Sequence, residues 1–509
     1  MNMNRKKRLN SVLAKLDKNL VKEIRGSCDV EILGLAYDSR CVYSNFVFFA
    51  LPGFHFDGQR FIEVAIQRGS NVIVHTNHVD FCVPNVTYIK VDSCNIKRFM
   101  SNFSNIFYDE PSKKLKIIGV TGTDGKSSVC FYIYTLLKSI GVKVGFISTV
   151  FLDDGSGSLI KNPYRQSTPE STEIHFFLSK MVDNNVQYAI VESTSHGLDP
   201  RTARLVDIEY SVAVLTNVSH EHLEFHGTME NYLKAKLNLF SSTATNNGFG
   251  VINIDDKNSS IFLSSIDKSY AYSLENKSAD FFVSKINEQM GFTEFEFFNK
   301  DIKYDARVNL TGSFNVENVI AALIVVSKVA SIGIAELIAS LASIRGLYGR
   351  MDDVDFGQNF SLIIDYAHTP GAFLKLFPIF RRLAKNRLIA VFGSAGERDI
   401  SKRRLQGEIA DRYADIIILC DEDPRREESM HIIKDIAEGI SDKMRDANLF
   451  FIPNRKDAIE KAINLAHSDD LVVTLGKGHE DSIIYKDKSI PWDEKGVVKD
   501  IILRLINRG

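Results

Sequence analysis

Cysteine is scarce and unpatterned. The 509-residue chain has six, Cys28, Cys41, Cys82, Cys94, Cys130 and Cys420, with no C-x-x-C pair. That excludes a disulfide scaffold and a zinc ribbon. Proline is low at 11, and no Ser/Gly-rich stretch occurs, so long linkers are not expected. Neither charge sign is in excess: Lys+Arg 62 against Asp+Glu 64 leaves −2. Bulk-charge binding to nucleic acid is excluded, as is an acidic solvating protein. No apolar run reaches 18 residues. The best, around residues 319–330, contains Ser327 and Lys328 and is too short to span a bilayer. Met1 to Leu16 starts basic but lacks the apolar core of a secretory signal. No repeat of fixed period is present. The expectation is a soluble, cytoplasmic protein with no nucleic-acid or membrane partner. What is there is ordinary globular composition, 44% hydrophobic, 10% aromatic and 25% charged. At roughly 150 residues per domain, the length suggests about three domains.

Short apolar strands alternate with helical patterns almost throughout. Strands are predicted at Leu115–Thr121, Val144–Thr149, Tyr188–Ser193, Ser211–Asn217, Leu362–Asp365, Leu388–Gly393, Asp415–Cys420 and Leu471–Leu475, with helices such as Ser128–Ile140 and Ile174–Asn184 between them. Several strands are β-branched runs without polar alternation, as sheets covered on both faces require. The fold class is therefore α/β with mainly parallel sheets. Polar, proline-bearing Tyr108–Lys114 and glycine-bearing Ser343–Gly349 mark two boundaries. The predicted domains are 1–112, 113–346 and 347–509.

Gly119-Val-Thr-Gly-Thr-Asp-Gly-Lys-Ser127 follows a strand and opens a helix. That setting presents backbone N–H groups and a helix N-terminus to phosphate. Lys126 would reach the β/γ-phosphates, and Ser127 would ligate Mg²⁺. Gly122 and Gly125 permit positive φ and close approach. The loop is a variant of G-x-x-x-x-G-K-[ST], because Val120 stands where the first glycine belongs. The bland alternative is a strand–turn–helix with a chance Gly-Lys-Ser.

Glu192-Ser-Thr-Ser-His-Gly-Leu198 and Thr216-Asn-Val-Ser-His-Glu-His-Leu-Glu-Phe-His-Gly227 follow two further strands. Both lie at C-terminal strand ends, where open α/β sheets place ligands. Glu192 offers a hard oxygen for Mg²⁺. His220, His222 and His226 crowd one loop, as a metal site or as a polar surface.

Gly-Thr-x-Gly-Lys-Ser resembles the phosphate loop of Mur ligases and folylpolyglutamate synthetases, with Asp124 where Asn is commonest. The two strand-end motifs resemble Mur-ligase signatures, especially of the MurE type, with Glu221-His-Leu-Glu224 in place of Asp-His-Leu-Asp. The resemblance implies three domains: an N-terminal UDP-binding α/β domain, a central P-loop ATPase domain and a C-terminal Rossmann-like domain. It implies that Gly122, Thr123, Asp124, Gly125, Lys126, Ser127 and Ser128 hold ATP, that His222 binds magnesium, and that Lys236 in Asn231-Tyr-Leu-Lys-Ala-Lys236 is the family's carbamylated lysine. Ser167-Thr168-Pro169, Ser195 and Arg204, with Arg201 competing, would contact a UDP-peptide. In the N-terminal part, Asp38-Ser39-Arg40 with Phe48-Phe-Ala-Leu-Pro-Gly53 would place Ser39 at the UDP. Asn315 and Asn318 would lie near adenine, Arg350 at the phosphates, and Asp365 at the ribose or phosphate. Without the family, Asn315 reads as an N-cap and Asp365 as a turn residue.

Three loops at C-terminal strand ends would form the amino-acid site: Gly393–Asp399 with Arg398, Asp421-Glu-Asp-Pro-Arg425, and Gly476-Lys-Gly-His-Glu480. Arg425 and Arg398 offer forks for carboxylates. Asp423 replaces the Asn of proteins that take meso-diaminopimelate. With Glu480 it suits a side-chain ammonium. The implied reaction uses ATP and Mg²⁺ to join a diamino acid (L-lysine or L-ornithine, with meso-diaminopimelate close behind) to UDP-N-acetylmuramoyl-L-alanyl-D-glutamate through an acyl phosphate, in peptidoglycan synthesis. The expected assembly is a monomer. The alternatives are another ligase of the superfamily, such as a folylpolyglutamate synthetase, and a non-catalytic P-loop switch.

Overall fold

The computed structural model describes residues 5–53, 57–79, 82–164, 166–219, 221 and 223–507. They fall into two compact units: Met1–Phe282 with Asn318–Ile334, and Val283–Glu317 with Ala335–Gly509.

Among the described residues, the first unit holds two larger sheets and a two-stranded one, Lys7–Arg8 with Glu31–Ile32. In the N-terminal sheet, Gly34–Ala36, Phe46–Phe49, Ser70–His75 and Thr87–Lys90 pair in parallel, and Glu23–Arg25 adds an antiparallel edge. The apolar runs Phe46–Phe49 and Val72–Val74 are wholly buried. The helix Ile96–Phe107 covers one face with Phe99, Met100 and Phe103.

The central sheet runs in the order Val144–Ile147, Tyr188–Glu192, Lys116–Thr121, Tyr210–Leu215, Phe249–Asn253, Ser269–Ser273, all parallel. The strands up to Phe249–Asn253 are almost wholly buried, as their unalternated sequences require, whereas Ser269–Ser273 is half-buried. The helices Lys126–Ser139, Ser171–Asp183 and Met229–Thr245 pack against it. Two helices begin two or three residues before the predicted Ser128 and Ile174. The early starts follow from caps: Gly125 in the left-handed region before the first, and a Glu170–Glu173 capping box at the second.

The apolar run around 319–330 belongs to an 18-residue helix, Ser313–Ala330. By length and composition that helix meets the requirement for crossing a membrane. Its Val319–Val326 stretch is buried in protein, which is how a core helix satisfies the same test.

The second unit has a sheet in the order Asp352–Asp353, Ser361–Asp365, Leu471–Leu475, Leu388–Phe392, Ile416–Leu419, Leu449–Phe451, parallel except for its first strand. Helices such as Pro370–Leu383 and Arg455–Leu465 supply its two apolar layers. The hairpin Phe292–Asn299 with Ile302–Val308 was not predicted. Its period-2 pattern, with Phe295 and Phe297 buried between glutamates, carries that signal.

A buried ion pair ties the strand ends of the second unit together. Arg455 meets Glu494 at 2.6 Å, both side chains being fully buried. Its remaining donors reach Leu475 O at 2.9 Å and Asp421 O at 3.3 Å. Burial works against ionising Glu494; Arg455 outweighs it and holds the carboxyl below its usual range. Arg455→Met strands that carboxylate and should cost about 3–5 kcal/mol of stability. Urea unfolding measures it; a loss below about 1 kcal/mol would contradict the assignment.

Candidate active site

The strand Lys116–Thr121 delivers its chain to the loop Gly122–Gly125, and the helix Lys126–Ser139 starts directly after it. Gly125 has φ +82, and a Cβ there would stand 2.6 Å from Asn318 Oδ1. Only glycine meets both demands. The loop is anchored to the neighbouring strand end: Asp124 N–H donates to Asn217 Oδ1 at 3.0 Å, and Thr216 Oγ1 donates to Asp124 O at 2.6 Å. Thr123 N–H donates to Asn217 O at 2.7 Å, and Thr123 Oγ1 lies 3.0 Å from Tyr232 Oη. Lys126 Nζ curls onto Thr123 O at 2.6 Å. Ser128 is buried in the first turn of the helix.

Ser127 and Glu192 come together as the sequence suggested. Ser127 Oγ lies 2.9 and 3.0 Å from the two Glu192 oxygens. Thr149 completes the cradle by donating from N–H at 2.8 Å and from Oγ1 at 2.9 Å. Sequence reasoning missed Thr149, whose only signal is its place just past the strand Val144–Ile147. Glu192 thus gathers the neutral donors of Ser127 and Thr149. A hydroxyl and a carboxylate so placed are hard oxygen donors suited to Mg²⁺.

Lys236 is 1% exposed. Its Nζ donates to Gly122 O at 2.6 Å and sits 4.4 Å from the Tyr232 ring centroid. Burial, followed by the Lys126 charge, depresses its pKa well below the ordinary lysine value, against the opposing pull of Glu221, Asp124 and Asp256. A neutral amine is the form that adds carbon dioxide, and the resulting carbamate would add two hard oxygens to the donor set. His222 and His220 lie outside the described residues.

His226 is buried, with Nε2 3.1 Å from Ser195 Oγ and Nδ1 3.5 Å from Asp199. Thr168 Oγ1 lies 2.8 Å from Thr194 Oγ1. Arg204 pairs with Glu170 at 2.8 Å and donates to Thr168 O at 3.1 Å, whereas Arg201 folds onto Asp199. Arg204 is thus the arginine that reaches the Thr168 segment. Ser167 is partly exposed beside it. Ser39 is buried in a turn after the strand Gly34–Ala36, capped by Asp38, which also pairs with Arg40 at 2.6 Å.

In the second unit, Asn315 is buried, and its Nδ2 donates to Thr311 O at 2.8 Å. Asp365 ends its strand and accepts from Met351 N–H and Ala367 N–H, each at 2.7 Å. Arg350 stacks on Tyr366, 4.6 Å from guanidinium carbon to ring centroid.

The acidic cluster departs from the sequence reading. From the sequence, Asp423 and Glu480 read as anions open to a ligand ammonium. Both instead share the fully buried Lys477, Asp423 at 2.9 Å, and Asp423 also accepts from Ile484 N–H at 3.0 Å. Lys477 went unassigned from sequence; its mark is a lone charge between two glycines at a strand end. In this cluster, among the described residues, Glu422 Oε2 is buried without a hydrogen-bond partner. Burial pushes its pKa up to about 7. Gly476 passes so close that a Cβ there would stand 3.1 Å from that oxygen. Arg425 has φ +55, and its buried Nε lacks a hydrogen-bond partner. Arg398 is exposed; its loop is tied to this cluster by Gly396 N–H donating to Asp423 O at 2.8 Å.

Comparison with known proteins agrees along the whole chain. Family models match in three blocks: the Mur ligase family catalytic domain over residues 31–108, the Mur ligase middle domain over 120–326, and the Mur ligase glutamate ligase domain over 349–478. A UDP-N-acetylmuramyl-tripeptide synthetase of Borreliella afzelii is 66% identical, covering 98% of this chain and 99% of its own. A UDP-N-acetylmuramoyl-L-alanyl-D-glutamate–2,6-diaminopimelate ligase of Clostridium tetani is 35% identical, covering 98% and 100%. A solved structure of a ligase with that second name aligns with a TM-score of 0.62 at 27% identity, over 95% of this chain and 98% of that one. The chain belongs to the Mur ligase family, and within it to the MurE type, the ATP-dependent ligases that extend the peptide of a peptidoglycan precursor.

Proposed function

We propose that this ligase joins a basic diamino acid, L-lysine or L-ornithine ahead of meso-diaminopimelate, to UDP-N-acetylmuramoyl-L-alanyl-D-glutamate, as a monomer in the cytoplasm. We assign residues 1–112 to the UDP-precursor, 113–346 to ATP and 347–509 to the amino acid. The observation that carries the reading is one phosphate loop holding Lys126, Ser127 against Glu192, and a buried Lys236 with a depressed pKa. ATP phosphorylates the γ-carboxylate of the D-glutamate, and the loop N–H groups and Lys126 offset charge on the transferring phosphoryl group. Ser127, Glu192, His222 and Lys236 as carbamate would hold Mg²⁺, which supplies further neutralisation of phosphate charge. Ser39, Ser167, Thr168, Ser195 and Arg204 bind the UDP-precursor. Asn315, Asn318, Arg350 and Asp365 complete the ATP contacts. The amine of the diamino acid then displaces phosphate and forms the amide.

For the amino-acid end, Arg425 with Arg398 takes the α-carboxylate. The side-chain ammonium goes to Glu422 rather than Asp423, because Lys477 already neutralises Asp423. A carboxyl poised near 7 ionises readily when an ammonium arrives. The test is phosphate release with the UDP-dipeptide, ATP and a panel of amino acids. L-Lysine or L-ornithine should be used best. Glu422→Gln should weaken its use by about 1.5–3 kcal/mol, the range for a hydrogen bond to a charged group. Clear preference for meso-diaminopimelate, unchanged in Glu422→Gln, would sink the ammonium assignment.

A further inference from the structure

Three loops of the second unit meet around one ring. Gly349-Arg350-Met351 is tied to Asp365 by the Met351 N–H bond at 2.7 Å, and Gly476 N–H donates to Asp365 O at 3.1 Å. Backbones approach so closely that a Cβ on Gly349 would fall 2.3 Å from His479 N, and one on Gly478 2.7 Å from Tyr366 Cβ. Tyr366 stands at the junction. One face of its ring carries the Arg350 guanidinium, and its hydroxyl reaches Glu480 Oε1 at 3.1 Å. Glu480 shares Lys477 with Asp423, and the Asp423 loop continues to Arg425. A continuous chain of contacts therefore runs from Arg350 to the acidic cluster.

We propose that Tyr366 is a positioning residue that couples nucleotide binding at Arg350 to diamino-acid binding by the loop of Glu422, Asp423 and Arg425, which Glu480 reaches through Lys477. The inference rests on the assignment of Arg350, Glu422 and Arg425 under the proposed function. The ring fixes the plane of the guanidinium, which otherwise has several rotamers. The hydroxyl fixes the carboxylate of Glu480 and, through Lys477, that of Asp423. Burial and Glu480 both push the phenol pKa up, so it remains a donor at neutral pH. Ordering either end orders Tyr366, and the second ligand then meets a partly organised site. Such coupling is reciprocal for binding.

The experiment uses the full chain with the UDP-precursor present. Binding of a non-hydrolysable ATP analogue is measured with and without the preferred diamino acid, in wild type and in Tyr366→Phe. That variant keeps the ring under Arg350 and loses only the hydroxyl. The diamino acid should tighten analogue binding about fivefold in wild type and not in Tyr366→Phe. In turnover, Tyr366→Phe should raise the KM for the diamino acid about tenfold and leave the KM for ATP within about twofold. Adding Glu480→Gln to it should cost less than Glu480→Gln costs alone. Tyr366→Leu, which also removes the ring, should raise both KM values. An equal coupling factor in wild type and Tyr366→Phe, unity included, overturns the proposal. If Arg350→Ala leaves analogue binding unchanged and Glu422→Gln leaves the diamino-acid KM unchanged, the site assignment itself fails. If both change while Tyr366→Phe keeps its coupling, the inference alone fails.

Discussion

Lys126→Ala should abolish ligation while leaving the fold intact. The side chain is partly exposed, and it donates a hydrogen bond to Thr123 O in its own loop. Losing it removes one exchangeable contact worth about 0.5–1.5 kcal/mol. The loop keeps its anchors on Thr216 and Asn217, so the backbone N–H groups stay in place. The transferring phosphoryl group loses a full positive charge at the moment its own charge spreads. Single electrostatic groups of this kind are worth about 10²- to 10⁵-fold in rate. A drop of at least about 10³-fold in precursor-dependent phosphate release is expected, with a melting temperature within a few degrees of wild type. Near-normal turnover would remove the phosphate loop from the mechanism. The substitution has a second consequence. Lys126 is one cause of the depressed pKa of Lys236, so its removal should let that pKa rise toward the ordinary value.

Lys236→Ala should be equally inactive, for a different reason. The lysine is buried, and burial lowers its pKa well below that of an exposed lysine, near ~10.4, which favours the neutral amine. The neutral amine adds carbon dioxide and becomes an anion with two hard oxygens. It retains one N–H, enough to keep the bond to Gly122 O. Protein equilibrated with ¹³C-bicarbonate should give a carbamate carbon signal that is absent from Lys236→Ala. Short carboxylates such as acetate or formate should restore part of the activity, because they return an anion to the space the side chain leaves. A high-resolution map with substrates bound and an unmodified Lys236 amine would refute the modification.

Much of the fold was legible because both-face burial writes itself into the chain as unalternated β-branched runs. Leu471–Leu475 and Ile416–Leu419 could hardly sit anywhere but in a covered sheet. The hairpin around Phe295 was missed because strands that alternate apolar with charged residues give a weaker signal than an unbroken apolar run. Helix starts slipped because caps, not apolar periodicity, decide them. The pairing of Ser127 with Glu192 was anticipated from two motifs 65 residues apart, since parallel strands deliver both to the same sheet edge.

By itself, the sequence determined the residue types that chemistry needs and their order along the strand ends: a glycine loop with Lys126 and Ser127, Glu192 after the next strand, and Lys236 on a following helix. It could not determine which charges cancel. Asp423 and Glu480 look like open anions in a linear chain; folding closes both on Lys477 and leaves Glu422 Oε2 of the same cluster buried without a hydrogen-bond partner. It could not give the pKa of Lys236 either, because desolvation depends on everything that surrounds the amine. Ion pairing and burial are sums over neighbours distant in sequence, and only the tertiary structure supplies those neighbours.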